Sequence, residues 1–469
     1  MVNSSATAGN VLKNGLTFLH NFGPGNTFVG EQAGNLAVAG GYNVGVGSQA
    51  LAGVDSGIGN TALGGRVLKS NTSGGGNVGV GADALLGNTT GFNNIAVGLT
   101  SLMNNGTGSE NVAMGFSSLY KNVDGAYNIA IGSGSLGENV SGQNNLAIGV
   151  GALGGTTRAS DNLAIGSGAM GGPNATLAGV NNTAVGTLAL HDNTAGQGNV
   201  AIGREALSHN SMGNHNVAQG LQAMRANSGG SENVAVGAGA LSGDDSPSKS
   251  VAIGAGALSS SLSAVGNIAI GYNAGSQLVT GQGNVYISNV GAPVEDGTIR
   301  IGGLMQTRTF ISGIMATPVM GAAVAVDTTI GQLGFVASSG RYKEDITTVD
   351  DGKSRVLSLR PVSYHYKFDP SAQKHYGLIA EEVAEVYPEL VARDAHGDVQ
   401  TVLYHELVPL LLDQLQRQRH ALDEQARERT SVVARMDGYL TELRELRRKV
   451  DLLMGSLAGG PASGSRPDE

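Results

Sequence analysis

Residues 145–149 read Asn145-Leu146-Ala147-Ile148-Gly149, and this unit recurs along more than half of the chain. Its second and fourth residues lie on one face of an extended segment and its third on the other, because side chains alternate along a β-strand. Its closing glycine suits a corner, since glycine adopts positive φ at little cost. The apolar pair Ala152-Leu153 predicts a second short wall of the coil before a turn of Gly, Asn and Ser. Each unit therefore predicts one coil of a β-solenoid.

The unit returns with a period of 17 residues, interrupted by one three-residue insertion near residues 171–180. A strict period of this kind is typical of solenoids, in which each repeat packs only against its neighbours. We expect about sixteen parallel coils, and a hydrogen-bonded ladder along the column of leading Asn side chains. That column contains Asn26, Asn43, Asn60, Asn77, Asn94, Asn111, Asn128, Asn145, Asn162, Asn182, Asn199, Asn216, Asn233, Ser250, Asn267 and Asn284.

Composition narrows the class of protein. Glycine supplies 75 of 469 residues and aromatic residues only 4 %, which fits a thin interior filled by small side chains better than a large globular core. The chain has no Cys, which excludes disulfide frameworks and thiolate metal sites, and its His residues show no paired spacing. We therefore expect no metal and no cofactor. A net charge of −9 argues against nucleic acid as a partner.

Targeting and membrane signals are missing from the sequence pattern. No apolar run approaches the ~18 residues of a membrane span. Residues 1–25 lack the basic start and apolar core of a secretory signal peptide. We expect no signal peptide, no membrane span and no C-terminal membrane anchor.

Charge divides the chain in two. The first 284 residues carry 20 charged side chains, whereas the remaining 185 carry 45, so a domain boundary lies soon after the last repeat. The expected division is an N-terminal segment 1–25, a β-solenoid shaft 26–288, a β connector 289–337, an α+β domain 338–405, a coiled-coil helix 406–456 and a disordered tail 457–469.

The segment 406–456 shows the heptad pattern of a coiled coil. Its seam positions alternate steps of three and four residues without a break, as two or more supercoiled helices require. The polar middle of the seam weakens it but can fix the register or the number of strands. The seam consists of Val408, Leu411, Leu415, Gln418, Leu422, Gln425, Arg429, Val432, Met436, Tyr439, Leu443, Leu446, Val450 and Leu453.

The 17-residue units resemble the head repeats of trimeric autotransporter adhesins, which are left-handed parallel β-rolls packed three side by side. The resemblance covers residues 26–288, although the usual coil of that family is shorter. The residues agree with a homotrimer, because both faces of the short strand are apolar or small. One face can line the coil and the other needs a neighbouring chain, so we expect the fourth position, such as Ile148, to be buried.

Four ordered blocks after the shaft resemble the C-terminal intramolecular chaperone domain of phage endosialidase-type tailspikes and tail fibres. The resemblance implies a domain that helps three chains assemble, in a family that is also a self-cleaving peptidase. The blocks are Ser338-Ser339-Gly340-Arg341-Tyr342-Lys343-Glu344-Asp345-Ile346, Leu359-Arg360-Pro361-Val362, Tyr376-Gly377-Leu378-Ile379-Ala380-Glu381-Glu382-Val383 and Tyr387-Pro388-Glu389-Leu390-Val391.

The same resemblance places a serine–lysine dyad at the start of this domain. It implies autoproteolysis between Ala337 and Ser338, with Ser338 as nucleophile and Lys343 as its base. Serine needs a group that accepts its proton, and a neutral lysine can do so when it is desolvated or lies near another cation. The supporting residues of this site are expected to be Arg341, Gly377 and Glu382.

One residue departs from the pattern. The family usually has Asp after the nucleophile, and Ser339 stands there in this chain. Ser339 is therefore an alternative nucleophile, and a chaperone that does not cleave is an alternative reading of the whole domain.

These observations predict a homotrimeric fibre that attaches to a host cell-surface receptor, either a glycan or a surface protein. The fibre would belong to a virion tail or to an extracellular cell surface. One alternative is a bacterial surface adhesin with a non-cleaving chaperone cap. A glycan-degrading tailspike is disfavoured, because glycosidases need paired carboxylates and the shaft offers only Asp244-Asp245 as a close pair.

Overall fold

The computed structural model divides into two units, Met1–Phe310 and Ile311–Glu469. The expected insertion falls largely on residues 173–178 and the expected tail on residues 458–469, both outside the described part. The described residues are 4–5, 7–172, 179–303, 305–306, 308–311, 324–327, 330–349, 355–368, 370–394 and 396–457.

The first unit is a β-solenoid with one nineteen-stranded sheet. Two antiparallel strands, Val11–Lys13 and Leu16–His20, form a hairpin at its start. The later strands stack in parallel, one per coil, and this confirms the predicted solenoid of 17-residue coils. A further parallel pair is Ser263–Val265 with Thr280–Gln282. The stacked strands are Thr27–Val29, Val44–Val46, Thr61–Leu63, Val78–Val80, Ile95–Val97, Val112–Met114, Ile129–Ile131, Leu146–Ile148, Leu163–Ile165, Thr183–Val185, Val200–Ile202, Val217–Gln219, Val234–Val236, Val251–Ile253, Ile268–Ile270, Val285–Ile287 and Ile299–Ile301.

The second wall of the coil is formed by turns rather than by a strand. Ala152 and Leu153 are fully buried, but they lie in a run of turns over residues 150–155. Leu153 has a φ of +51°, a left-handed conformation that a β-strand excludes. Its N–H donates to the Ala169 carbonyl at 2.9 Å, so neighbouring coils remain hydrogen-bonded without a strand. Burial of the leucine side chain offsets the cost of this backbone, which is about 1–2 kcal/mol.

The middle residue of each strand points into the coil. Ala147 is fully buried, whereas Leu146 and Ile148 are half-exposed. The expectation that the fourth position of the unit is buried is therefore not met within a single chain, where Ile202 and Ile253 are each 39 % exposed. The first and last residues of the stacked strands together form a continuous surface of mostly Val, Ile and Leu, which we call the outer strand face.

The predicted Asn ladder is confirmed. Asn111 donates from its backbone N–H to Asn94 Oδ1 at 3.0 Å and from its Nδ2 to the same oxygen at 3.1 Å. The Nδ2 group also donates to the Gly125 carbonyl at 2.9 Å. Both Asn side chains are fully buried, so these bonds satisfy amides that would otherwise be costly to remove from water.

A second Asn ladder runs beside the first. Asn88 donates from Nδ2 to Asn71 Oδ1 at 2.7 Å, and Asn105 donates in the same way to Asn88. Thr156 interrupts this column, which resumes with Asn193. The two ladders meet at shared acceptors, since Asn111 and Asn122 both donate from Nδ2 to the Gly125 carbonyl.

Aromatic side chains fill both ends of the solenoid interior. Phe28 and Tyr286 occupy the middle strand position that Ala or Gly holds in most coils, and both are fully buried. The Phe28 ring lies 4.8 Å from the ring of His20 in the N-terminal hairpin. Burial lowers the pKa of that histidine, which favours its neutral form.

Replacement of the corner glycine should destabilise the shaft. Gly149 has a φ of +133°, and an added Cβ would lie 2.5 Å from the Gly166 carbonyl oxygen of the next coil. We expect Gly149→Ala to lower the free energy of unfolding by roughly 3 kcal/mol or more, because backbone strain and a backbone clash add. Gly134→Ala is the matched control, since its φ is +66° and nothing lies within 4 Å of the added Cβ. Denaturant unfolding that gave equal losses for both variants would contradict this reading.

The second unit contains short elements followed by one long helix. Its core consists of Val356, Val383, Tyr387, Leu390, Val391, Val402 and Leu407. The helix Tyr404–Leu457 is confirmed as an element, while its supercoiling with other chains stays a prediction. The elements are the strands Ala325–Val326, Leu333–Gly334, Val362–Tyr364, His375–Gly377, Val391–Arg393 and Val399–Val402, the 3-10 helices Gly340–Tyr342, Arg355–Ser358 and Pro388–Leu390, and the α-helices Ala380–Val386 and Tyr404–Leu457.

Candidate functional site

Ser338 and Lys343 flank a single turn of 3-10 helix. The helix covers Gly340–Tyr342, and Ser339 caps its start by accepting a hydrogen bond from the backbone N–H of Arg341 at 3.4 Å. At its end the Lys343 backbone N–H donates to the Gly340 carbonyl at 3.4 Å. The turn therefore holds the serine and lysine that the sequence singles out on either side of one short element.

Both dyad side chains are exposed in the single chain, and Ala337 is half-buried. Within the described part of the chain, no hydrogen bond or ion pair involves the Ser338 hydroxyl or the Lys343 ammonium group. Lysine acts as a base only in its neutral form, which removal from water favours. A single chain does not provide that environment at Lys343.

The Arg341 side chain folds back over its own turn. Its Nε donates to Ser339 Oγ at 3.3 Å, and its guanidinium group lies 5.7 Å from the centre of the Tyr342 ring. Arg341 therefore contacts the alternative nucleophile, Ser339, more directly than it contacts Ser338. The same Ser339 oxygen also caps the turn by accepting the hydrogen bond from the Arg341 backbone N–H.

Glu382 forms an ion pair with Arg360. The Arg360 Nε donates to Glu382 Oε2 at 3.1 Å, and its second nitrogen contacts the other carboxylate oxygen. This guanidinium group lowers the pKa of the Glu382 carboxyl, and the carboxylate raises the pKa of Arg360. The pair joins the loop after Arg355–Ser358 to the first turn of Ala380–Val386.

Gly377 makes room for the hydroxyl of Tyr404. The Tyr404 Oη accepts a hydrogen bond from the Leu378 N–H at 2.9 Å, and a Cβ added to Gly377 would lie 2.8 Å from that oxygen. Tyr404 is the first residue of the long helix. This contact therefore fixes the start of the helix to the hairpin of Val362–Tyr364 and His375–Gly377.

An apolar groove of about 580 Å³ lies beside this contact. It is lined by the hairpin, the loop before it and the first turns of the long helix, and neither Ser338 nor Lys343 is among its lining residues. Its lining includes Leu359, Val362, Tyr376, Leu378, Leu407 and Leu411.

The five expected site residues thus fall into two groups. Ser338, Arg341 and Lys343 belong to one turn, whereas Gly377 and Glu382 stabilise the folded body of the domain. Among the described residues no hydrogen bond, ion pair or ring contact joins the two groups. Sequence reasoning missed Arg360 and Tyr404 as functional candidates, since their partners lie 22 and 26 residues away.

The Gly377 contact can be tested by substitution. We expect Gly377→Ala to destabilise the C-terminal domain by roughly 1–3 kcal/mol, because the added methyl group displaces the Tyr404 hydroxyl from the Leu378 N–H. Tyr404→Phe removes the same hydrogen bond without a clash, so it should have the smaller effect. Thermal unfolding of the domain measures both, and a Gly377→Ala domain as stable as the parent would argue against the contact.

No group of three or more His, Cys, Asp or Glu side chains among the described residues is placed to hold a metal ion. None of the helices that the structure describes has the length and apolar character needed to cross a bilayer.

Residues 338–392 match the family model described as chaperone of endosialidase, which is a peptidase family. The match confirms the resemblance expected from the four blocks, and the family implies a self-cleaving peptidase domain. No curated protein and no solved structure matches the chain. The β-solenoid shaft and this C-terminal region together support a fibre-like protein with a C-terminal chaperone.

Proposed function

We propose that the chain is a subunit of a homotrimeric fibre that attaches to a cell surface, with a C-terminal domain that assembles three chains and then releases itself by cleavage between Ala337 and Ser338. One observation carries the proposal. The region that matches the chaperone of endosialidase begins at Ser338, the residue that follows the expected cut, and comes after a long solenoid shaft in the sequence.

The long helix supports a trimer through its exposed apolar side chains. Leu415, Leu422 and Leu443 are each more than 60 % exposed, and other apolar seam residues of the helix are also exposed. Such a stripe costs free energy in water unless other helices cover it. Three parallel copies of the same helix would bury the seam as a coiled coil.

The outer strand face supports the same assembly. It presents half-exposed Val, Ile and Leu side chains along the stacked strands. A partner that covers this surface along its whole length must repeat at the same spacing, about 4.8 Å per coil. Two further copies of the shaft meet that condition, because each has the same period and the same apolar surface.

Attachment to a receptor rests on the fibre architecture rather than on a defined pocket. Fibres of this kind present long repetitive surfaces, and the turns of this shaft expose Asn and Ser side chains such as those of Ser73, Asn93 and Asn144. We propose a glycan or a surface protein as the receptor. The location follows from that role, as part of a virion tail or of an extracellular surface.

The proposed cleavage uses the side chains of Ser338 and Lys343. The Ser338 Oγ adds to the Ala337 carbonyl carbon while Lys343 accepts the hydroxyl proton. Lys343 then returns this proton to the Ser338 nitrogen, which leaves as an amine while an ester joins Ala337 to the serine oxygen. Water hydrolyses that ester, so the shaft ends in the Ala337 carboxylate and the released domain begins with a free Ser338.

The exposure of both side chains supports a link between cleavage and assembly. In the single chain the Lys343 side chain is exposed to solvent, whereas a lysine that acts as a base must be shielded from water. Packing of three chains would exclude water from the turn and place the Arg341 of each chain near its lysine. Cleavage would then follow correct assembly.

The whole proposal is tested by expression of the full chain. We expect two fragments in a denaturing gel, with the smaller one starting at Ser338 by N-terminal sequencing, and a shaft that is trimeric by native mass spectrometry. A trimer of intact chains would favour the surface adhesin with a non-cleaving cap. A monomeric chain would overturn the fibre.

A further inference from the structure

Gln219 interrupts the outer strand face. It is the last residue of the strand Val217–Gln219, in register with Ile202 before it and Val236 after it. In the other stacked strands this position holds Val, Leu, Met or Ile. A single amide therefore stands in a long column of apolar side chains.

The Gln219 side chain points outward, away from the interior of the coil. It is exposed, and the residue that points inward from the same strand is the fully buried Ala218. Within the described part of the chain no hydrogen bond of the Gln219 amide group occurs, whereas the backbone carbonyl of Gln219 accepts from the Gly237 N–H at 2.7 Å. By contrast, the exposed Gln32 of the shaft does have a partner, since its Oε1 accepts a hydrogen bond from Gln49 Nε2 at 3.1 Å.

We propose that Gln219 fixes the axial register of three shafts by meeting the same residue of two further copies. This inference rests on the homotrimer proposed above. A glutamine amide both donates and accepts hydrogen bonds, so three of them at one level can satisfy one another. In a protein that associates through this face, they become the one amide layer in an apolar interface.

The repeat by itself leaves the axial register of three shafts poorly determined. A shift of one chain by 17 residues brings Val or Ile opposite Val or Ile at most levels, as the strand pairing between coils illustrates. Shape and apolar burial therefore distinguish registers poorly. The same shift moves each Gln219 against an apolar side chain and leaves its amide desolvated without a hydrogen bond, which is costly. A single buried polar residue sets the register of coiled coils in the same way.

A transposed variant tests the inference. Gln219→Ile combined with Ile253→Gln moves the amide two coils along the same column. We expect this variant to form trimers by itself, since its three amides again share one level. Co-expressed with the parent under a different affinity tag, it should form mixed trimers at least about tenfold less often than chance, because mixing leaves amides unpaired.

Matched controls test the role of Gln219 independently of the proposed homotrimer. The parent under two different tags should mix randomly, with about three quarters of the trimers mixed. Gln197→Glu with the parent should do the same, because Gln197 is exposed in the turn before a strand. Native mass spectrometry counts each species.

Each outcome supports or overturns the role of Gln219 in the axial register. Random mixing of the parent with the transposed variant would overturn the role of Gln219 while leaving the homotrimer intact. If the transposed variant does not fold, Gln219→Ile alone takes its place. It should form trimers that also avoid the parent, and random mixing with the parent would again overturn the proposal. A monomeric parent would overturn the homotrimer, and with it this inference.

Discussion

The parent chain should separate into two fragments in a denaturing gel, whereas Ser338→Ala should remain a single full-length chain. The substitution removes the hydroxyl that attacks the Ala337 carbonyl, so we expect cleavage to slow by at least about a hundredfold. Lys343→Ala should have a similar effect, because no other side chain of the turn can accept the serine proton at neutral pH. Gel densitometry over time after expression measures the rate for each variant.

Two control variants test whether cleavage specifically requires Ser338 and Lys343. Lys343→Arg keeps the positive charge but loses the base, since a guanidinium group does not give up its proton in proteins; it should remain uncut. Ser339→Ala removes the cap of the turn but not the proposed nucleophile, so it should slow cleavage less than Ser338→Ala does. The dyad would be wrong if cutting survived Lys343→Ala, and the nucleophile would move to Ser339 if only its substitution stopped the reaction.

The shaft shows how much of the fold a strict period reveals. The leading Asn column predicted both the coil length and the hydrogen-bonded ladder. A second column, with Asn71 and Asn88 among its members, repeats with the same period and could have been predicted by the same reasoning. The turn at Leu153 could not have been predicted in this way. Leucine disfavours the left-handed conformation that it adopts there, and that conformation depends on burial that only the stacked coils supply.

The candidate site likewise contains residues that the sequence predicted and contacts that it did not. Ser338 and Lys343 lie five residues apart, and their position at the start of a recognised block singled them out. The expected support from Glu382 turned out to be an ion pair with Arg360, and Gly377 accommodates the Tyr404 hydroxyl. Both partners depend on tertiary packing, since no local pattern couples a helix start to a residue more than twenty positions earlier.

A chain that is synthesised without its C-terminal domain should fail to assemble correctly. A chain that ends at Ala337 keeps every coil of the shaft but lacks the domain and the long helix. We expect its yield of soluble trimer to fall below about a tenth of the parent yield, because chains with near-identical repeats collapse in shifted registers and aggregate. Size-exclusion chromatography with light scattering measures the trimer and the aggregate together.

The matured shaft provides the decisive comparison, since cleavage leaves it with the same covalent chain, residues 1–337. We expect it to stay trimeric after the released domain is separated from it, and to unfold at a higher temperature than any trimer recovered from the truncated chain. The two samples have the same amino-acid sequence. A difference in their oligomeric state or unfolding temperature therefore reflects the way in which the chains assembled. Clean trimers of equal thermal stability from the truncated chain would refute the chaperone role, and would leave alignment to the shaft itself, where Gln219 is the residue able to provide it.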